Sequence, residues 1–217
     1  MTNDVQILNN GYPMPAVGLG VYKIADEQME EVVRTALDAG YRAFDTAYFY
    51  GNEKALGSAL KHSNVERDEL FITSKLWNDY QGYDQTIEYF NKSLDNLGLD
   101  YLDLFLIHWP CENDQLYIES YKALEHLYEE GKIKAIGVCN FKIHHLEKLM
   151  KETKITPQVN QIELHPYFNQ QDVQDFCDEH DIKVTASMPL MRNKGLLDDP
   201  VITDIAHRYD KTPAQRS

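Results

Sequence analysis

Leu104-Phe105-Leu106-Ile107, followed at once by His108-Trp109-Pro110, decides the fold. Four apolar residues with no polar alternation read as a strand buried on both faces, and such strands belong to parallel sheets. Working outward, the same kind of run recurs along the chain: Ala43-Phe44, Leu70–Thr73, Ile133–Val138, Val159–Ile162 and Ile182–Ala186. Between the runs lie helical patterns. Met29, Val32, Val33, Ala36 and Leu37 fall at i, i+3, i+4, i+7 and i+8 over Asp26–Ala39, and Gly40 is placed to stop that helix. Further helices are expected near Glu53–Lys61, around Ile87, Phe90, Leu94 and Leu97, over Tyr117–Glu130, from about His144, and over Gln171–Glu179.

Seven βα units with no linker or composition break favour a barrel over two domains. The expectation is a (β/α)₈ TIM barrel forming one domain over residues 1–217. Val5–Leu8 with Asn9-Asn10-Gly11 reads as a β-hairpin plugging its bottom. The rival is an open doubly wound sheet, which carries Gly-x-Gly-x-x-Gly after its first strand. Here Gly18-Leu19-Gly20 is followed by Val21-Tyr22-Lys23, without the third glycine.

The formal net charge of −14 repels phosphate backbones and argues against general nucleic-acid binding. It leaves room for an anionic small ligand held by a few local cations. No apolar run approaches the roughly 18–20 residues of a membrane span, and the N-terminus lacks a signal-peptide layout. Cys111, Cys139 and Cys177 form no Cys-x-x-Cys, so neither a disulfide framework nor a metal site is expected, and a cytoplasmic setting is. His144-His145 and His165 are the only support for a metal-dependent hydrolase, and neighbouring histidines on a helix read as surface residues.

Polar residues recur where the strands end. Asp45 follows the second strand, Lys75 the third, His108 the fourth and Asn140 the fifth, while Gln161 and Glu163 close the sixth. In a (β/α)₈ barrel these ends converge on one face, where active sites are built. Each residue alone has an ordinary explanation: a cap, a solvated lysine, a core histidine, a packed tyrosine. Together they fit general acid catalysis by Tyr50. A free phenol, with a pKa of about 10, is a poor acid at neutral pH, and a neighbouring cation lowers that value. Lys75 is placed to be the cation, Asp45 to keep it charged and oriented, and His108 to donate to a substrate carbonyl. Such a site protonates an oxygen as a hydride arrives at carbon, and no side chain supplies a hydride, so a reduced nicotinamide is implied.

These residues sit in longer motifs. Gly40-Tyr41-Arg42-Ala43-Phe44-Asp45-Thr46-Ala47 with Tyr50-Gly51-Asn52-Glu53, and Leu97–Leu104 running to Ile107-His108-Trp109-Pro110, resemble the two signatures of the aldo-keto reductases. Thr73–Trp77, Ile136–Phe141 and Val159–Tyr167 match further segments, in the style of small bacterial 2,5-diketo-gluconate reductases. The resemblance implies an NADPH-dependent reductase of aldehydes and ketones with the tetrad Asp45, Tyr50, Lys75 and His108. It implies that Asn140 and Gln161 hold the nicotinamide carboxamide, that Cys139 makes a weaker contact where serine is usual, and that Pro189 and Leu190 lie against the pyrophosphate. Tyr22, Phe49, Trp77 and Trp109, with His108, would line the substrate mouth.

Two departures stand out. Ser187 occupies a position where the family usually stacks an aromatic ring on the nicotinamide, which implies weaker cofactor binding. The pattern also stops at Ser217, before the eighth strand, the final helices and the element for the 2′-phosphate of NADPH. A longer protein, a truncated product and a partner that completes the barrel all fit. A chain ending there is expected to have little NADPH activity. The second functional reading is therefore a truncated or pseudo-enzyme barrel acting as a binding or structural protein, since fold alone does not fix function. Substrate identity and oligomeric state are not legible.

Overall fold

The computed structural model describes residues 4–216. The chain opens with an antiparallel hairpin, β1 (Val5–Ile7) and β2 (Pro13–Pro15). Seven parallel strands follow in chain order: β3 (Gly18–Gly20), β4 (Ala43–Asp45), β5 (Phe71–Leu76), β6 (Leu102–Ile107), β7 (Ile133–Cys139), β8 (Val159–Glu163) and β9 (Lys183–Ser187). Each pairs only with its sequence neighbours, and β3 and β9 form the two edges of the curled sheet among the described residues. Helices α1 (Asp26–Asp38), α2 (Glu53–His62), α3 (Tyr83–Leu97), α4 (Asp114–Glu129), α5 (Ile143–Glu152) and α6 (Gln171–Glu179) connect the strands, and α7 (Pro200–Arg208) and α8 (Pro213–Arg216) follow β9.

The helices form because their apolar residues repeat with the helical period and find a wall to cover. On α1, Met29, Val33 and Ala36 are buried, and on α3, Phe90, Leu94 and Leu97. Gly98, at φ 65°, ends α3 in the left-handed region that favours glycine. Between β7 and β8 the backbones approach so closely that a Cβ on Gly137 would collide with the carbonyl of Val159.

Strand alternation positions the site. Successive side chains point to opposite faces. Phe105 and Ile107 join the large cluster under the helices, while Leu104 and Leu106 join a smaller one inside the sheet with Leu8, Met14, Ala43, Phe71, Ala135 and Val159. Leu8 and Met14 come from the hairpin segment, which plugs this interior from below. Continuing the inward series upward gives Asp45 from Ala43, Lys75 from Phe71, His108 from Leu104, Cys139 from Ala135 and Gln161 from Val159. The inward rows are thus apolar at the bottom and polar at the top.

One expected boundary shifts. The third strand runs through Ser74 and Lys75 to Leu76, so Lys75 lies within the strand rather than after it. Its polarity masks a residue that is wholly inside.

Candidate active site

Lys75 is 0% exposed, the least accommodating place for an ammonium. Its Nζ donates to the Asp45 carboxylate and, at 2.8 Å, to the carbonyl oxygen of Thr46. Burial works against the charge, yet Asp45, with smaller contributions from Tyr50 and Cys139, carries Lys75 above the ordinary lysine value. The ammonium is present at every physiological pH. Asp45 is itself steadied from the other side, where Gln161 Nε2 donates to its second oxygen at 2.9 Å.

Tyr50 ends a 3₁₀ turn, Tyr48–Tyr50, that no periodicity announces. Its three aromatic residues go three ways. Tyr48 packs edge-on against Tyr80 and Tyr89. Phe49 stacks on Trp77 with ring centres 3.8 Å apart. Tyr50 turns into the barrel mouth, its ring centre 5.3 Å from Lys75 Nζ and 5.7 Å from the ring centre of His108. The four residues expected to meet do so at one end of the sheet.

The acidity of Tyr50 differs from the expectation. Burial holds the phenol above the ordinary tyrosine value, and the pull of Lys75 only partly offsets it. Sequence spacing reveals the cation, whereas the desolvation arises only from the folded surroundings of the ring. At neutral pH Tyr50 is therefore a neutral phenol that carries its proton, with the ammonium beside it favouring the phenolate left after transfer. Burial and the Lys75 charge push the other way on His108, lowering it to about 3. The imidazole is neutral and can donate one N–H. Its Nδ1 is buried without a partner among the described residues.

On the facing wall, Asn140 follows β7 in the left-handed region at φ 61° and donates through Nδ2 to the carbonyl of His108 at 3.0 Å. Cys139 Sγ lies 3.9 Å from Gln161 Oε1, a contact at the limit of a thiol hydrogen bond, and burial pushes the thiol well up. Two side-chain amides and one small thiol form a donor and acceptor set that fits a carboxamide. Ser187 closes β9, in register with Glu163, and presents no flat face there. Beyond it Pro189 is exposed and Leu190 half-buried, beside a cavity of about 310 Å³ lined by Glu163, Met188, Met191, Arg192 and Lys194.

The mouth is aromatic. Tyr22 lies 4.7 Å, ring centre to ring centre, from Tyr50 and is 39% exposed. Phe49 and Trp109 are open to solvent, while Trp77 packs edge-on against His108. Arg192 sits over the Tyr22 ring at 5.3 Å, a contact that sequence reasoning did not anticipate. Of His144 and His145, read from the sequence as surface residues, His144 is exposed and His145 half-buried, with ring centres 3.9 Å apart on α5.

The chain as a whole is similar to known proteins. The profile of the Aldo/keto reductase family fits residues 16–217, and the chain belongs to that family. Among curated relatives, glyoxal reductase of Bacillus subtilis is 49% identical over 213 residues, which span 98% of this chain and 76% of the relative. Methylglyoxal reductase DkgA of Escherichia coli K12 is 46% identical over 209 residues, spanning 96% and 75%. An aldo/keto reductase from Brucella melitensis superposes with a TM-score of 0.93 at 45% identity, covering 99% of this chain and 82% of that one. A point mutant of Gox0644 solved in complex with NADPH superposes at 0.93 and 41% identity, covering 99% and 78%.

Proposed function

We propose that this protein reduces the carbonyl group of a small aldehyde or ketone to an alcohol with NADPH, and that Tyr50 supplies the proton. When bound, NADPH supplies the hydride. The observation that carries the reading is the wholly buried Lys75 ammonium, anchored by Asp45 and the Thr46 carbonyl and directed at the phenol of Tyr50. Tyr50 holds the proton at its phenol oxygen and releases it to the carbonyl oxygen. Lys75 stabilises the phenolate that remains, and Asp45 keeps Lys75 in place. Neutral His108 donates to the same carbonyl oxygen and sets its angle. Asn140 and Gln161 would hold the nicotinamide carboxamide, Cys139 and Ser187 would border it, and Pro189 and Leu190 would lie along the pyrophosphate. Tyr22, Phe49, Trp77 and Trp109 exclude water from the substrate.

The relatives named for glyoxal and methylglyoxal make short dicarbonyls the first compounds to try. Three free cysteines, and no described helix long and apolar enough to cross a membrane, support the cytoplasmic setting. A purely structural barrel is not favoured, because a buried ammonium beside a partly open phenol is costly and serves no packing purpose. A panel of aldehydes and ketones assayed with NADPH and NADH tests the reading. Turnover with NADPH is expected, and a chain that binds NADPH yet reduces nothing on the panel would overturn it.

A further inference from the structure

Asn52 touches none of the reacting groups, yet its side chain is committed to them. It is 3% exposed. Its Nδ2 donates to the carbonyl of Val21 at 2.8 Å, and its Oδ1 accepts from Thr46 Oγ1 at 2.9 Å. Both partners belong to site-bearing segments. Val21 precedes Tyr22, and its own N–H donates to the carbonyl of Asp45 at 2.9 Å. Thr46 provides the carbonyl that accepts from Lys75. Asn52 itself follows Tyr50 and Gly51 directly. One primary amide therefore joins the end of β3, the end of β4 and the turn that carries the phenol.

The position makes this use unusual. Asn52 is the N-cap residue of α2, where an asparagine side chain ordinarily accepts from a backbone N–H of the first turn. Here the side chain makes no cap bond. The helix start forgoes its usual partner, and the amide points back into the site. Glu53 repeats the logic toward β5. It is buried, and its carboxylate accepts from Ser74 Oγ at 2.7 Å, next to Lys75, and from Asn96 Nδ2 at 3.0 Å.

We infer that Asn52 is a positioning residue for the proton transfer, fixing the separation of the Tyr50 phenol from the Lys75 ammonium by clamping the Tyr50 turn to Thr46 and Val21. The attraction between the two groups depends on their distance; Lys75 is fixed by Asp45 and the Thr46 carbonyl, so the distance is set by where the Tyr50 turn sits. Among the described residues, the backbone hydrogen bonds within the turn are Tyr50 N–H to the carbonyl of Ala47 and Gly51 N–H to that of Tyr48. Tyr48 and Phe49 are held by ring contacts on the outer side, so without the amide the Tyr50 end of the turn is the part left to shift relative to Lys75.

This inference rests on the reductase reading, and its test separates the two. Asn52→Ala and Thr46→Val are made in the full chain beside wild type. Thr46→Val keeps the shape of the buried side chain and removes only the donor to Asn52, so it carries the test should Asn52→Ala not fold. The expected result is a loss of about tenfold in kcat, the scale of a modest misplacement of reacting groups. KM and the NADPH Kd, read by tryptophan fluorescence, should stay within about twofold. An ultraviolet difference titration of each protein against its own Tyr50→Phe counterpart isolates the Tyr50 phenol, which should ionise at higher pH in both variants. Folded Thr46→Val with wild-type kcat and an unmoved Tyr50 titration would overturn the inference, as would a loss shared equally by KM and NADPH affinity. A wild type without turnover sinks the reductase reading alone, because the titration still reports on the clamp.

Discussion

Two buried ion pairs sit at opposite ends of adjacent strands, and they are finished differently. At the bottom Asp103, near the start of β6, is 2% exposed and closed on every side. It accepts from Arg67 Nη2 at 2.7 Å, Ile72 N–H at 2.8 Å and the Tyr12 hydroxyl at 2.6 Å. Arg67 goes on to the carbonyls of Leu70 and Tyr101 and stacks on the Tyr101 ring. At the top Lys75, near the end of β5, has two acceptors for three donor positions, and its remaining side faces Tyr50. His108 beside it keeps an unpartnered buried nitrogen. The bottom network leaves the buried Nε of Arg67 without a partner among the described residues, yet every contact of Asp103 is made by the protein itself and ties the hairpin to the strands through Tyr12. The top network leaves its spare capacity at the barrel mouth, beside Tyr50.

Substitutions that treat the two ends alike should therefore give opposite readouts. Lys75→Met should lower kcat by about a thousandfold, the scale of removing an electrostatic stabiliser of the transition state. The melting temperature should change little, since the carboxylate of Asp45 is 24% exposed and can be hydrated. Asp103→Ala should do the reverse. It leaves Arg67 without its carboxylate and also strips the buried Ile72 N–H and the Tyr12 hydroxyl of their acceptor, so it should cost about 3 kcal/mol by urea unfolding. Its kcat should match wild type, and a large fall in kcat would show that the bottom network reaches the site.

Ser187→Trp sharpens the comparison from the cofactor side. An added stacking surface of the kind worth about 1–3 kcal/mol elsewhere should lower the NADPH Kd by about tenfold or more. Equal or weaker affinity in a fluorescence titration would reject that. The same site can also be probed through pH. An unfolded histidine titrates near 6.5, and folded His108 near 3. Between those values the unfolded chain binds a proton that the folded chain does not, so stability falls as pH drops through the window. His108→Asn should flatten this limb of the stability curve, and an unchanged slope would place the titration elsewhere.

The repeat of strand and helix was legible because each apolar run is short and each helical face is regular. The predicted bounds Gln171–Glu179 match α6. Legibility failed where polarity and burial part company. The polarity of Ser74 and Lys75 predicts that the third strand ends at Thr73, yet both are enclosed. Helix α7 went unpredicted although Asp199 caps it and Pro200 begins it, a signal present in the residues themselves. That Asp45, Tyr50, Lys75 and His108 come together could be read from strand ends and motif. The net direction of the Tyr50 shift could not, because desolvation depends on what surrounds the ring in three dimensions. The Asn52 clamp was equally out of reach, since its two partners lie 31 and 6 residues away.

The central claim is that the Tyr50 phenol and the Lys75 ammonium act as one device, and a double-mutant cycle tests it most directly. Steady-state reduction of a short dicarbonyl at saturating NADPH is measured for wild type, Tyr50→Phe, Lys75→Met and the double variant. Groups that work as a unit give non-additive losses, so the double variant should be no slower than the slower single variant, within about threefold. Losses that simply multiply would show that the two residues contribute independently, and would contradict the account.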